Sequence, residues 1–168
     1  MAEAEIWDED LCKACGACCD GSLFVQARLA EGEKILPDME EGFARNERGF
    51  SLPCPYFCET CTVYNIRPKI CRTFGCDLLA AVKDGKTPYA DALQAVARLR
   101  TARDALAARL PLAATSVPEA EQQFAMGYRN YPDLAAFQAD NAETIAAIKE
   151  MQDATRPFTH GTDTAISM

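Results

Sequence analysis

Cys12-Lys-Ala-Cys15-Gly-Ala-Cys18-Cys19 sets the reading of this chain, because it places four thiols in one short run. Core packing does not need such a run, and small residues at Ala14, Gly16 and Ala17 leave the backbone free to turn toward the sulfurs. The other five cysteines are Cys54, Cys58, Cys61, Cys71 and Cys76, and none follows in the rest of the 168 residues. Metal chelation in the N-terminal half is the first hypothesis.

Thiolates suit zinc, copper(I) and iron–sulfur centres. Cys12/Cys15, Cys15/Cys18 and Cys58/Cys61 have the C-x2-C spacing of structural zinc knuckles. Cys12, Cys15 and Cys18 also reproduce the C-x2-C-x2-C spacing of ferredoxin-type loops. The single histidine, His160, lies far from the cysteines, so a mixed Cys/His site is not expected. Side chains of the adjacent Cys18 and Cys19 diverge in most backbone conformations. One of them would complete a first site while the other serves a second site or bridges. Cys58 is either an extra ligand or a spare thiol.

Four thiolates on one divalent ion, or on a [4Fe–4S]2+ core, leave a net charge of −2. Arg67 and Arg72 flank Cys71 and are candidates to offset that charge or to donate N–H groups to sulfur. Lys69 reads as a solvated cation. Arg98, Arg100, Arg103 and Arg109 read as a solvated helix face.

The formal net charge of −8 offers no basic surplus to neutralise phosphates, which argues against nucleic acid as a partner. The acidic start MAEAEIWDED does not have the form of a secretory signal. No run approaches 18 apolar residues, so no membrane span is expected. These features point to a reducing cytoplasm, where clustered cysteines act as ligands rather than as disulfides.

The expected fold class is α+β or mainly α. A small irregular cysteine-rich metal-binding domain, residues 1–86, precedes an α-helical hairpin or bundle over 87–155 that packs on it, with a loose tail at 156–168. Residues 1–11 read as an acidic lead-in anchored by Trp7, and 12–22 as the first cysteine loop. Two or three short strands fit 23–50, and Pro53 and Pro55 make 51–62 a second irregular cysteine loop. One helix is expected from Pro68 to about Lys83, stopping at Gly85. A second runs from Thr87-Pro88 to about Leu110, with apolar positions at Tyr89, Leu93, Val96, Leu99, Leu106 and Leu110 and a gap at Arg103. Ser116-Val-Pro-Glu119 has the form of a capping box. Asn130-Tyr-Pro132-Asp133 opens a last helix to about Met151. Tyr56, Phe57, Tyr64 and Phe74 are expected to form a small core around the centre.

The run at Cys12–Cys19, Cys54, and the segment Cys61-Thr-Val-Tyr64-Asn-Ile-Arg67-Pro68-Lys-Ile-Cys71-Arg72-Thr-Phe74-Gly-Cys76 together resemble a known family. It is the YkgJ-like CxxCxxCC domain, zinc- or iron-chelating. The resemblance covers about residues 12–80. It implies eight motif cysteines, Cys12, Cys15, Cys18, Cys19, Cys54, Cys61, Cys71 and Cys76, with Cys58 as an extra. Relatives include domains attached to flagellin lysine methylation with an iron–sulfur centre. This chain has no strand followed by a Gly-rich turn into a helix, so a methyl-donor site is not carried over.

The leading expectation is a cysteine-ligated protein holding a [4Fe–4S]-type centre for electron transfer or iron handling. The alternative, from a different class, is a Zn2+-stapled protein-interaction module without catalysis. A thiol enzyme built on Cys58 or Cys61 lacks a placed histidine base, and no independent catalytic activity is expected. Expected partners are a redox or other protein, and a second copy of the chain through the helical region.

Overall fold

A computed structural model describes residues 4–39, 41–44, 47–113 and 115–159, without the side chains of 4–9 and 42–47. The anchor role of Trp7 and the position of His160 therefore lie outside the described residues.

Helix α1 spans Ala4–Cys15, so the described part of the expected lead-in and the first four residues of the first cysteine loop are helical. The helix stops because Gly16 takes a left-handed conformation (φ 68°) and its N–H bonds the Cys12 carbonyl at 3.1 Å. A tight turn follows, in which Cys19 and Asp20 both donate N–H to the Gly16 carbonyl. The chain then enters a three-stranded antiparallel sheet of β1 (Gln26–Arg28), β2 (Glu41–Ala44) and β3 (Glu47–Ser51), in the order β1-β3-β2. The register pairs Ala27 with Phe50 and Gly42 with Gly49. Ile35-Leu36, an apolar pair within the 23–50 segment, lies between strands.

The second cysteine loop is more regular than its prolines suggest. β4 (Phe57–Cys58) and β5 (Thr60–Cys61) form a minimal hairpin turned by Glu59, the one described non-glycine residue at positive φ (59°). The single helix expected from Pro68 to Lys83 is two helices, α2 (Lys69–Thr73) and α3 (Asp77–Lys83). Phe74 is extended, Cys76 is extended, and Gly75 lies between them. The Cys76 thiol then caps α3 by accepting the Leu79 N–H at 3.5 Å. Thiol capping replaces continuation of the helix, a choice that helical periodicity does not report.

Helix α4 spans Tyr89–Ala107, with Pro88 at its N-cap rather than Thr87. It buries Ala92, Val96, Leu99, Ala102 and Leu106, while Leu93 is exposed. Small alanines let α4 approach its neighbours closely, so alanine carries part of the stripe expected of leucine. The capping box is present: Glu119 accepts from both the N–H and the hydroxyl of the fully buried Ser116, starting α5 (Val117–Met126). The last expected helix is also divided, into α6 (Leu134–Asp140) and α7 (Ala142–Thr155). Asp133 caps α6, and the Asn141 amide donates to the Phe137 carbonyl at the break.

Helices α4 and α7 run antiparallel, as the ion pairs Arg98–Glu150 (3.2 Å) and Arg109–Glu143 (3.0 Å) require. The architecture is α+β, dominated by helix, with the cysteines in the N-terminal part. One hydrophobic cluster joins Leu11, Leu23 and Phe50 to Leu79, Leu99 and Met151, so both parts of the chain share a core. Of the tail expected to be loose, Arg156–Phe158 form a 3-10 turn with Phe158 buried in this cluster, and 160–168 lie outside the described residues. The large apolar ring of Phe158 outweighs the absence of periodicity around it. Among the described residues, no helix is long and apolar enough to cross a membrane.

Candidate metal centre

Eight thiols, those of Cys12, Cys15, Cys18, Cys19, Cys54, Cys61, Cys71 and Cys76, line one largely apolar cavity of about 110 Å3. Its walls include Leu11, Phe57, Tyr64, Phe74, Leu79 and Phe158. Cys58 does not line it and is exposed on β4. Cys12 is exposed at the cavity's edge, while the other seven lining thiols are half-buried. Among the described residues, no three Cys, His, Asp or Glu side chains stand close enough to share one metal ion. The thiols ring the space and do not converge on a point.

Local structure explains this gathering. Cys12 and Cys15 lie one turn apart at the end of α1, on one face of the helix. The Gly16 turn then folds Cys18 and Cys19 back. A Cβ on Gly16 would lie 2.1 Å from Phe57 Cζ, so the ring of β4 closes on a position that only glycine fits. Cys54 donates its N–H to the Cys19 carbonyl at 2.7 Å, and Phe57 donates to the Cys54 carbonyl. Phe57 pairs with Cys61 across the hairpin, which brings Cys61 to the side of Cys54. Helix α2, which carries Cys71, is anchored at its start by Glu33, whose carboxylate accepts from Lys69 N–H at 2.7 Å and from Ala30 N–H at 3.0 Å.

The thiol electrostatics fall into two sets. Cys15 is repelled by Cys76 and Cys12, and Cys18 by Cys76, Cys15, Cys19 and Cys12. Cys19 is repelled by Cys71, Cys54 and Cys61, and Cys71 by Cys54 and Cys61. Burial is the largest cause of every shift. It pushes Cys15 and Cys71 up to about 12 and raises Cys18, Cys19, Cys54 and Cys76. Without a cation these thiols hold their protons near neutrality, so a metal must displace them.

One cation is already in place. Arg67 lines the cavity, and its charge opposes the rise at Cys71. Its guanidinium stacks on Tyr64 at 3.4 Å from the ring centroid, with Lys13 over the same ring at 4.6 Å. Arg67 Nε is buried and has no hydrogen-bond partner. An unpaired buried donor beside a ring of sulfurs fits an anionic tetrathiolate centre. Arg72, by contrast, is exposed and does not line the cavity. Phe57, Tyr64 and Phe74 form cavity wall as expected, whereas Tyr56 turns aside to hydrogen-bond Asp38.

Several positioning residues escape a reading of the sequence. Arg103 is not a solvated cation: its Nε lies 3.1 Å from Asp20 Oδ2, and its Nη2 donates to the Asp20 carbonyl at 3.0 Å. It ties α4 to the residue after Cys19, and the gap it leaves in the apolar stripe was the available signal. Arg98, Arg100 and Arg109 are exposed as expected, and Arg98 and Arg109 also pair with carboxylates of α7. Glu33 and Phe158 gave no signal of their own.

A cavity walled by cysteines, with one buried cation, on a small α+β scaffold defines a cysteine-rich metal-binding domain. Residues 11–90 match the model of the CxxCxxCC family, described as a putative zinc- or iron-chelating domain. Through this segment, just under half of its length, the chain is similar to that family. No curated protein and no solved structure matches the chain.

Proposed function

We propose that the chain holds iron through cysteine, as a [4Fe–4S]-type centre, and serves electron transfer or iron handling in the cytoplasm. The observation that supports this best is the cavity itself. Eight of the nine thiols line it, and Arg67 supplies a buried donor to balance an anionic core. The cavity exceeds the roughly 30 Å3 taken up by one water molecule, so it has room for more than a single small ion. The C-x2-C-x2-C run supplies the thiolate spacing of ferredoxin-type loops. The exposed edge at Cys12 gives a redox protein partner short access to the centre.

A Zn2+-stapled interaction module is favoured by a different observation. The thiols beyond α1 sit on or beside very short elements, β4 and β5 of two residues and α2 of five. Such elements gain order from a metal staple. In that reading the exposed Met126, Tyr128 and Leu134 are where a protein partner or a second copy would dock.

Both readings share the ligand set. Cys15→Ser or Cys71→Ser should strip metal, measured by elemental analysis after anaerobic purification, while Cys58→Ser should retain it. Loss of metal on changing Cys58 alone would overturn that set.

A further inference from the structure

We infer that the eight thiols form two separate four-thiolate centres, divided by the Cys18–Cys19 peptide. The first comprises Cys12, Cys15, Cys18 and Cys76; the second comprises Cys19, Cys54, Cys61 and Cys71. The inference rests on the reading that the chain binds metal through these cysteines.

The backbone imposes the division. Cys12 and Cys15 share one face of the last turn of α1, and the Gly16 turn returns Cys18 to them. Helix α3 packs against α1, and the Cys76 thiol sits at the N-terminus of α3, so Cys76 is the thiol placed to complete this set when a metal draws the sulfurs together. On the other side, the 2.7 Å bond from Cys54 N–H to the Cys19 carbonyl fixes those two residues together. The Phe57–Cys61 pairing brings in the hairpin. Arg67 stands beside Cys71, stacked on a Tyr64 ring that Lys13 of α1 also reaches.

The interruption at Phe74–Cys76 is what separates Cys71 from Cys76. An unbroken helix would hold them at a fixed angle of about 140° on one rigid rod. With the break, α2 and α3 orient their thiols independently.

Cadmium is a suitable probe because it forms all-thiolate sites without redox chemistry. Each Cd2+ that enters breaks four S–H bonds, forms four S–Cd bonds and releases four protons to the buffer. Titration of the reduced, metal-free full chain should saturate its sulfur-to-cadmium charge-transfer band at about two Cd2+ per chain. 113Cd NMR should then show two resonances of equal intensity. Cys12→Ser and Cys61→Ser should each remove a different resonance, and Cys12→Ser/Cys76→Ser should remove the same one as Cys12→Ser alone. Saturation at one Cd2+, a single resonance, or loss of both signals in either single variant would overturn the division. Should the variants fail to fold, the wild-type stoichiometry and spectrum still decide. A chain that binds no Cd2+ at all would overturn the metal-binding reading itself.

Discussion

The buried thiols predict that the metal-free chain is destabilised by alkali through particular cysteines. Cys15 and Cys71 are raised from 9.0 to about 12, chiefly by burial. A raised folded value means that the native state holds the proton more tightly than the unfolded chain does. That stability is fully present below pH 9 and is lost as pH climbs toward 12. At about pH 10 the unfolded thiol is largely ionised while the folded one is not, which costs each about 1.4 kcal/mol. The two together cost at most about 3 kcal/mol, since both side chains are partly exposed and water screens them. Urea unfolding of the reduced, metal-free protein at about pH 8 and pH 10 measures this loss. A Cys15→Ala/Cys71→Ala variant should lose less stability over the same interval, by up to that amount. Metal loading reverses the sign, because bound thiolates carry no proton, so metal affinity should rise with pH. Equal alkaline losses in wild type and variant would refute the reasoning.

Three further outcomes follow from the packing around the cavity. Gly16→Ala should drive a methyl into the Phe57 ring and displace the first cysteine loop, which would appear as a sharp fall in metal bound per chain with little change in far-ultraviolet circular dichroism. Phe158→Ala should cost about 3–5 kcal/mol in urea unfolding, because the ring is only 2% exposed; a loss below about 1 kcal/mol would mean that the tail is loose after all. Arg67→Gln should speed loss of metal to a chelator about 10- to 100-fold, from removal of a charge-assisted contact of about 1.5–3 kcal/mol. Arg67→Lys should restore little of it, because a flexible ammonium does not reproduce the guanidinium stacked on Tyr64.

The cysteine-bearing segments were legible because thiol spacing is a local signal: all eight motif cysteines reach one cavity, and Cys58 stays outside it. The capping box at Ser116–Glu119 and the antiparallel pairing of the long helices were legible for the same reason. What escaped was decided by partners distant in sequence. The break between α2 and α3 depends on the Cys76 thiol capping a helix, and the break at Asn141 on a side-chain amide bonding backward. Arg103 looked like surface until Asp20, far away in the chain, supplied its partner. Phe158 sits beyond the last periodic helix, and only the folded core shows that it fills space beside the thiols. Whether the bound species is iron–sulfur or zinc lies beyond spacing, since both take four thiolates.

That choice is tested most directly by purifying the full chain anaerobically and measuring iron, zinc and acid-labile sulfide beside its visible spectrum. The account predicts a brown protein with iron and sulfide in equal amounts and little zinc. A colourless protein carrying zinc and no sulfide would contradict it and establish the stapled module in its place.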